Sequence, residues 1–401
     1  MKYAFVTPRY GLEVLGGAEL GARMLAERLV ESLGWSVEIF TTCALDAMTW
    51  EDHYAAGDET INGVVVHRFP TTRQRVPEFF PYSERVLSAP SAATLLEAQR
   101  FLDLQGPGSP ELTEALRASD RDLFAFYPYL YSPSVDGLMA VADRAVMHPA
   151  AHDEPALHLP IFKEPMTAVQ GLVFQTQGEQ RLVESLFQVA HIPQTVIGLG
   201  FEEPPSELPS RSPGELTGLG DRPYLLCLGR VDGFKGTTML AELFAAYKRR
   251  HPGPLALVLA GPISAAPPTS PDVIVTGPVD EADKWALLRG ATAFVNPSPH
   301  EAFSIVLMEA WSVRLPVVVN ARCAATLEHC LRSGGGLWFG SYPEFEVVID
   351  RLVGDEAMRG TLGEHGRLYV DANYRWPIII ERYADFLTGV QARIAEPVSF
   401  A

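Results

Sequence analysis

Short runs of apolar residues alternate with amphipathic segments along most of the chain. The apolar runs at 3–7, 37–41 and 64–69 predict buried strands. Leucines at helical spacing, followed by Gly34, predict a helix at 19–33. Because strand, helix and strand follow one another, this opening predicts a parallel sheet with a right-handed crossover.

The alternation continues on both sides of a segment rich in proline and glycine at 202–221, which we interpret as a linker between two α/β domains. Before the linker, the pattern predicts strands at 145–147, 172–175 and 196–200 and a helix at 179–188. After the linker, it predicts strands at 224–228, 255–260, 273–276, 293–295 and 316–319, and helices at 237–250 and 280–289. A length of 401 residues also suits two domains better than one core.

Composition and charge narrow the class of protein. Apolar residues make up 47% and charged residues 20%, which is ordinary for a soluble protein, and no apolar run is long enough for a transmembrane segment. Residues 1–6 predict a strand and not a signal peptide. A net charge of −17 disfavours nucleic acid and peripheral membrane contact, although it leaves room for a local basic patch. The four cysteines lack metal-ligand spacing, so we expect reduced thiols in a cytoplasmic protein.

The stretch from His300 to Glu309 carries two carboxylates after a predicted strand. Asn296 and the two prolines that follow it break the strand into a loop, and Glu301 lies in this loop. We expect Ser304 to cap the next helix and Glu309 to lie about two turns into it. In open α/β sheets, this carboxyl-terminal edge is where ligands bind.

A second loop of interest follows the strand at 224–228. It runs from Gly229 to Gly236 and contains Arg230 and Lys235 among three glycines. Two cations with accessible backbone N–H groups predict a pyrophosphate site, because arginine grips two oxygens and lysine neutralises as a point charge. The alternative is a turn with solvated cations. The order of a P-loop is absent.

Two features of the first domain are weaker candidates. Gly16 and Gly17 precede the first helix, where glycines let the backbone approach an anion, although a plain tight turn explains them equally well. His152 and Asp153 follow the strand at 145–147, again at the ligand edge, but a lone histidine is usually structural.

An irregular segment at 70–85 is basic and aromatic within an acidic chain. Arg73 and Arg75 in this segment are candidates for binding an acceptor, together with Tyr131, at the end of an aromatic run from Phe124, and Asp153. Whether 70–90 forms a lid or an acceptor site stays open. The plainer alternative is a solvated loop whose arginines pair with surface acids.

Three motifs together resemble glycosyltransferase family 4, whose members are retaining nucleotide-sugar transferases of the GT-B fold. They are the loop from Gly229 to Gly236, the stretch from Glu301 to Glu309 and the strand that starts at Pro316. The resemblance is strong in 224–320, moderate in 1–40 and 145–200, and absent in 45–130. It implies an α/β GT-B architecture with two Rossmann-like domains facing a central cleft: 1–203 with the helix 376–401, which crosses back to it, and 204–375.

The resemblance also implies roles for individual residues. Arg230 and Lys235, with Gly229, would hold the donor diphosphate; Glu301 and His152 would contact the transferred sugar; and Glu309 would accept hydrogen bonds from the ribose. The backbone N–H groups of Phe303, Ser304 and Ile305 would meet a phosphate, and Gly16 and Gly17 would approach it from the first domain. Departures from the family pattern are Ala302 and Ser304, where glycine is usual, and the loss of two glycines before Glu328. Glu328 would still occupy the family's acidic position and bind the donor.

The function that the resemblance implies is transfer of a hexosyl unit from a UDP- or GDP-sugar to an unidentified hydroxyl acceptor. The acceptor could be a glycan, a lipid-linked sugar or a natural product. No cofactor and no metal are expected, because the donor half lacks an Asp-x-Asp motif and offers two cations instead. Two alternatives stay open: another GT-B enzyme, such as an inverting transferase or a sugar epimerase, and a nucleotide-binding partner subunit without turnover.

Overall fold

A computed structural model describes residues 1–14, 16–206, 211–268 and 270–395. The chain divides into two compact units, which we call unit 1 and unit 2. Unit 1 contains Met1–Leu199 and the chain from Trp376 onwards, and unit 2 contains Gly200–Arg375. Residues 207–210 of the predicted linker and 396–401 of the predicted last helix lie outside the described residues.

Unit 1 is built on an eight-stranded sheet in the order β3-β4-β2-β1-β5-β6-β7-β8. All neighbours are parallel except β3 and β4, which are antiparallel. The strands are β1 Lys2–Val6, β2 Ser36–Thr42, β3 Gly57–Ile61, β4 Val64–Phe69, β5 Leu123–Phe126, β6 Ala145–Met147, β7 Gly171–Phe174 and β8 Gln194–Val196.

In unit 1, one strand prediction is wrong and one strand was missed. The strand expected at 196–200 is wrong, because β8 ends at Val196 and Gly198 adopts a φ of 77° that breaks the extended backbone. The edge strand β3 was not predicted, since its exposed sequence Gly-Asp-Glu-Thr-Ile shows no apolar alternation. Charged side chains on such an edge discourage pairing with another chain.

Seven helices of unit 1 lie between its strands along the sequence. They are α1 Gly17–Leu33, α2 Phe79–Leu87, α3 Leu95–Gln105, α4 Pro110–Ala118, α5 Ser132–Ala140, α6 Lys163–Ala168 and α7 Gln177–Leu186. The segment at 70–85 is therefore not irregular throughout, because α2 begins at Phe79, whose ring is buried. Local capping explains α3, where Thr94 and Glu97 form a reciprocal capping box.

Unit 2 has a six-stranded sheet in the order β11-β10-β9-β12-β13-β14, parallel throughout. Its strands are β9 Tyr224–Leu228, β10 Ala256–Ala260, β11 Val273–Gly277, β12 Ala293–Asn296, β13 Val317–Asn320 and β14 Gly336–Phe339. Its helices are α8 Pro213–Thr217, α9 Thr237–Arg250, α10 Glu281–Gly290, α11 Ile305–Ser312, α12 Ala324–Ser333, α13 Tyr342–Gly354 and α14 Glu356–Asn373. The predicted linker therefore contains one short helix, α8.

The last helix, α15 Trp376–Ala395, returns to unit 1 as predicted. The hydroxyl of Tyr383 on α15 lies 2.7 Å from the hydroxyl of Tyr3 and 2.7 Å from Nε2 of His148, and all three side chains are buried. Burial lowers the pKa of His148 to about 3, so this imidazole is neutral at physiological pH. The network ties α15 to β1 and to the loop after β6.

Strand order locates the ligand edge in both sheets. In unit 1, β1 lies between β2 and β5, and in unit 2, β9 lies between β10 and β12. The chain reverses its direction of strand addition at each of these places, and ligands of open α/β sheets bind in the crevice beyond such a switch point. The loops after β1, β5, β9 and β12 are therefore where binding residues are expected.

The apolar interior lies between sheet and helices in each unit, and all four cysteines are buried and free. Within the described residues, no helix combines the length and the apolar character that crossing a bilayer requires.

Candidate functional site

The loop after β9 is shaped by its own aspartate. Asp232 accepts a hydrogen bond from the backbone N–H of Lys235 at 2.7 Å and another from Nε of Arg230. Gly236 has a φ of 74°, and a Cβ there would come within 2.6 Å of the carbonyl oxygen of Pro297. Glycine is therefore required at this position both by its backbone conformation and by the close approach of the loop after β12.

Two asparagines at strand ends hold the loop after β12. The side-chain oxygen of Asn296 accepts the N–H of Ser298 at 3.0 Å, and Nδ2 of Asn320 donates to the carbonyl of Pro297 at 2.9 Å. Both asparagines are buried, so these hydrogen bonds also satisfy polar groups that water does not reach. The loop is thereby fixed against the ends of β12 and β13.

The two loops meet through a charged pair. Nζ of Lys235 lies 2.8 Å from Oε1 of Glu301, and the ring of Phe234 stacks on His300 with 5.3 Å between centroids. The structure therefore brings together Arg230, Lys235 and Glu301 at the switch point of unit 2. Arg230 is half exposed, so its guanidinium can still reach an anion.

Ser304 corrects the expected helix cap. Its side chain makes no capping hydrogen bond to α11, and Oγ instead accepts a hydrogen bond from Nδ2 of Asn296 at 3.0 Å. Its backbone has a φ of 74°, a left-handed conformation that favours glycine. This conformation gives a physical reason for a glycine in the family pattern, and serine keeps it here at some cost in strain.

Glu309 is buried on α11 and has a partner that the sequence did not suggest. Nζ of Lys284 on α10 lies 2.7 Å from its Oε1 and 2.8 Å from Glu281. Burial raises the pKa of Glu309, and Lys284 opposes this shift. Burial also opposes the raised pKa of Lys284, but the two glutamates outweigh it. A lysine on a preceding helix carries no motif, so only the packing of α10 against α11 reveals it.

Aromatic side chains pack around Phe303, which lies in the loop after β12. Phe303 is buried and packs edge-on against His329 and Tyr374, each with 5.1 Å between centroids. Burial lowers the pKa of His329 to about 3, so this imidazole is uncharged at neutral pH. Glu328 is buried one residue before His329 on α12, and its Oε1 lies 3.4 Å from Arg332.

In unit 1, Gly16 and Gly17 precede the body of α1 but differ in their surroundings. A Cβ on Gly16 would collide with the carboxylate of Glu19, which pairs with Arg9 at 2.6 Å. A Cβ on Gly17 would meet no atom within 4 Å. Packing within unit 1 thus explains Gly16, whereas the space beside Gly17 is open to a ligand.

His152 lies in a loop five residues beyond the end of β6. Its Nδ1 is 3.7 Å from the carboxylate of Glu154, while Asp153 lies 3.0 Å from Nε2 of His158. Buried Glu179 supports this loop, because its carboxyl group accepts the N–H of Ala151 at 2.8 Å. Burial raises the pKa of Glu179 to about 8, although backbone N–H groups oppose the shift. Sequence reasoning missed this support.

The arginines after β4 behave differently from each other. Arg73 forms ion pairs with Asp103 and with Asp136, the latter at 3.0 Å. This agrees with the plainer alternative of arginines that pair with acids. Arg75 instead contacts the faces of Trp50 and Phe79. The acceptor-binding role of both residues and of Tyr131 stays a prediction.

The geometry defines what the site in unit 2 can do. Two cations on one loop and the backbone N–H groups at the start of α11 suit a ligand with two phosphates, and carboxylates beside them suit hydroxyl groups. Within the described residues, no group of three or more histidine, cysteine, aspartate or glutamate side chains is arranged to hold a metal ion.

Comparison with known sequences agrees with this arrangement. Residues 222–353 match the family model described as glycosyl transferases group 1. A GDP-mannose-dependent α-(1-6)-phosphatidylinositol monomannoside mannosyltransferase of Mycobacterium tuberculosis is 29% identical over 196 residues, which cover 43% of this chain and 49% of that protein. The chain spans about half the length of the curated relatives it matches. Residues 222–353 therefore form a domain of the glycosyltransferase group 1 type.

Comparison with solved structures concerns the whole fold. Sucrose-phosphate synthase from Thermosynechococcus elongatus superposes with a TM-score of 0.70 at 17% identity, covering 98% of this chain and 100% of that one. Anabaena HepE in complex with UDP and glucose superposes with a TM-score of 0.67 at 16% identity, covering 97% and 100%. Two Rossmann-like α/β units with these neighbours are of the GT-B fold class, as predicted.

Proposed function

We propose that this chain is a retaining, metal-independent glycosyltransferase that moves a hexosyl unit from a UDP- or GDP-sugar to a hydroxyl acceptor. The observation that carries the proposal is the 2.8 Å contact between Lys235 and Glu301, which joins a cationic loop to a carboxylate loop at the switch point of unit 2. A relative that depends on GDP-mannose and a structural neighbour that binds UDP support a nucleotide-sugar donor. The four free thiols suit a cytoplasmic location, which belongs to the same proposal.

The proposed roles follow from charge. Arg230 and Lys235 bind the diphosphate and stabilise the negative charge that grows on it as the bond between the anomeric carbon and the phosphate oxygen breaks. The acceptor oxygen attacks from the same face, and its proton passes to the departing phosphate oxygen. Glu301 then hydrogen-bonds to hydroxyls of the sugar, and buried Glu309 to the ribose. The two cations carry the charge that a metal ion carries in other transferases.

Binding of the donor product tests the first step. We expect UDP or GDP to raise the melting temperature of the purified protein, because each binds the folded state only. If no nucleoside diphosphate stabilises the protein, the proposal fails. Turnover that disappears in EDTA and returns with Mg²⁺ would contradict metal independence.

The anomeric configuration of the product separates the mechanisms. We expect NMR of the first product to show the same anomeric configuration as the donor. An inverted product would identify an inverting transferase. The absent glycines before Glu328 motivate the second candidate, a nucleotide-binding partner without turnover, and slow hydrolysis of the donor in the absence of acceptor would argue against it.

A further inference from the structure

The guanidinium of Arg75 contacts two aromatic rings and a backbone carbonyl. Its guanidinium lies over the ring of Phe79 at 4.8 Å and near that of Trp50 at 5.8 Å. Its Nε donates to the carbonyl of Gln105 at 3.2 Å, and Nη1 has only the sulfur of Met48 at 3.9 Å. Among the residues that the structure describes, no carboxylate lies within ion-pair distance of Arg75. Most of its five N–H donors are therefore available.

Among the described residues, Arg75 has no carboxylate partner although the chain is rich in acids. The sequence has 49 acidic and 32 basic residues, so a carboxylate is easy to supply. Arg73, two residues earlier, has two of them. Burial lowers the pKa of Arg75, while Tyr131 and Asp46 raise it without forming an ion pair. A partly buried guanidinium that pays for desolvation without a partner is suited to an anion that arrives with a ligand.

The neighbours of Arg75 place it at the ligand edge of unit 1. Trp50 is fully buried and contacts Tyr131 edge-on at 5.1 Å, and the guanidinium of Arg9 lies 5.7 Å from the same ring. Arg9 follows β1 and Tyr131 follows β5, so Trp50 links Arg75 to both sides of the switch point. Arg9 is neutralised by Glu19, which leaves Arg75 as the uncompensated cation of this group.

Tyr131 supplies a second available donor. Its hydroxyl has no hydrogen-bond partner among the described residues, and its pKa is raised to about 12 by burial and by Glu19, so it stays protonated. A guanidinium and a phenol that both contact Trp50 can donate to two oxygens of one phosphate or carboxylate.

We propose that Arg75 and Tyr131 form an anion subsite in unit 1, and that the acceptor of the reaction carries a phosphate or a carboxylate group bound there. That the bound anion belongs to the acceptor rests on the proposed function. The existence of the anion subsite does not. A soluble sugar phosphate and a phospholipid headgroup offer the same chemistry to this subsite.

Binding of matched neutral and anionic sugars tests the subsite. Saturation-transfer NMR of the full chain with glucose, glucose 6-phosphate and glucuronate at millimolar concentration should show an affinity about tenfold higher for the anions. Arg75→Gln should remove this preference, and Arg75→Lys should retain part of it, because it keeps the charge and loses the fork. Arg85→Gln is the matched control, since exposed Arg85 on α2 already pairs with Glu97.

Further variants and ligands show whether the anions bind at Arg75 or elsewhere. Lys235→Ala should leave the preference unchanged; if it removes the preference while Arg75→Gln keeps it, the anions bind the donor loop and the inference is overturned. Equal affinity for neutral and anionic sugars, or no binding of either anion, also overturns it. Binding to phosphatidylinositol vesicles but not to phosphatidylcholine vesicles, lost in Arg75→Gln, would indicate a lipid source. Arg75→Gln should still bind UDP or GDP, so failure of the proposed function appears independently as absence of that binding.

Discussion

The switch point of unit 2 carries cations that each have an internal carboxylate, whereas at the same edge of unit 1 no carboxylate of the described residues pairs with Arg75. Lys235 pairs with Glu301, Arg230 with Asp232 and Lys284 with Glu309. Internal pairs hold the side chains near their working positions before a ligand arrives, which lowers the entropy lost on binding. An unpaired guanidinium instead gains its counter-ion from the ligand. If the two proposals hold, the donor site is preorganised and the acceptor site selects by charge.

Removal of Lys235 should have the largest effect on this comparison. We expect Lys235→Ala to lower turnover by roughly 100- to 1000-fold, because a cation aimed at developing charge contributes about 3–4 kcal/mol. The protein should stay folded, as judged by circular dichroism. Arg249→Ala on the exposed face of α9 is the control and should keep full turnover. Unchanged activity in Lys235→Ala would refute the role of the loop.

Breaking the buried pair of unit 2 should cost stability. We expect Lys284→Met to lower the free energy of unfolding by about 3 kcal/mol, because Glu309 is left buried without its cation. The double variant Lys284→Met with Glu309→Gln should be more stable than the two single losses predict. Arg75→Gln should cost only about 1 kcal/mol, since it removes ring contacts and one hydrogen bond to the carbonyl of Gln105 but no ion pair. Urea unfolding of the unchanged protein and of the four variants measures these differences. Equal losses of unfolding free energy in Lys284→Met and Arg75→Gln would contradict the contrast between the units.

The buried histidines should make both units sensitive to acid. The pKa of His329 is lowered by burial from 6.5 to about 3, and that of His148 likewise. Between about pH 6.5 and 3, these histidines therefore bind protons in the unfolded chain but not in the folded chain. Each histidine should lower the free energy of unfolding by about 1.4 kcal/mol per pH unit as the pH falls from about 6.5 towards 3. Urea unfolding at a series of pH values should show that His329→Gln reduces this slope by one proton.

The two glycines before α1 should separate packing from ligand approach. Gly16→Ala should destabilise the protein by about 1 kcal/mol, because the new methyl group displaces the pair of Arg9 and Glu19. Gly17→Ala should leave stability unchanged or slightly higher, since alanine is the better helix former. If Gly17 lies against the donor phosphate, its variant should nevertheless lose turnover. Thermal unfolding and a steady-state assay of both variants give the answer.

Much of unit 2 could be predicted from its sequence. Its strands are apolar runs bounded by glycine or proline, and the loop from Gly229 to Gly236 has a distinctive composition. The conformation of Ser304 could not be predicted, because a serine before a helix usually caps it, and only the fold shows its left-handed backbone. Lys284 also escaped prediction, since its partner lies on another helix and no spacing connects them.

In unit 1, the sequence could not separate Arg73 from Arg75. Both lie in the same basic segment, two residues apart, and both could pair with acids or with a ligand. Their difference arises from helices α3 and α5, which bring Asp103 and Asp136 to Arg73 and none to Arg75. Such long-range contacts have no signature in local periodicity or composition. Only the structure therefore distinguishes the two arginines.

The contact of Tyr383 with Tyr3 and His148 has a consequence for biosynthesis. The ribosome makes β1 before unit 2 and α15 after it. Until α15 emerges, the hydroxyl of Tyr3 and the imidazole of His148 lack the partner that they have in the finished protein. Unit 2 has all of its chain earlier and can complete its folding during translation. Unit 1 reaches its final packing only after α15 has been made, which makes it the later of the two units to mature.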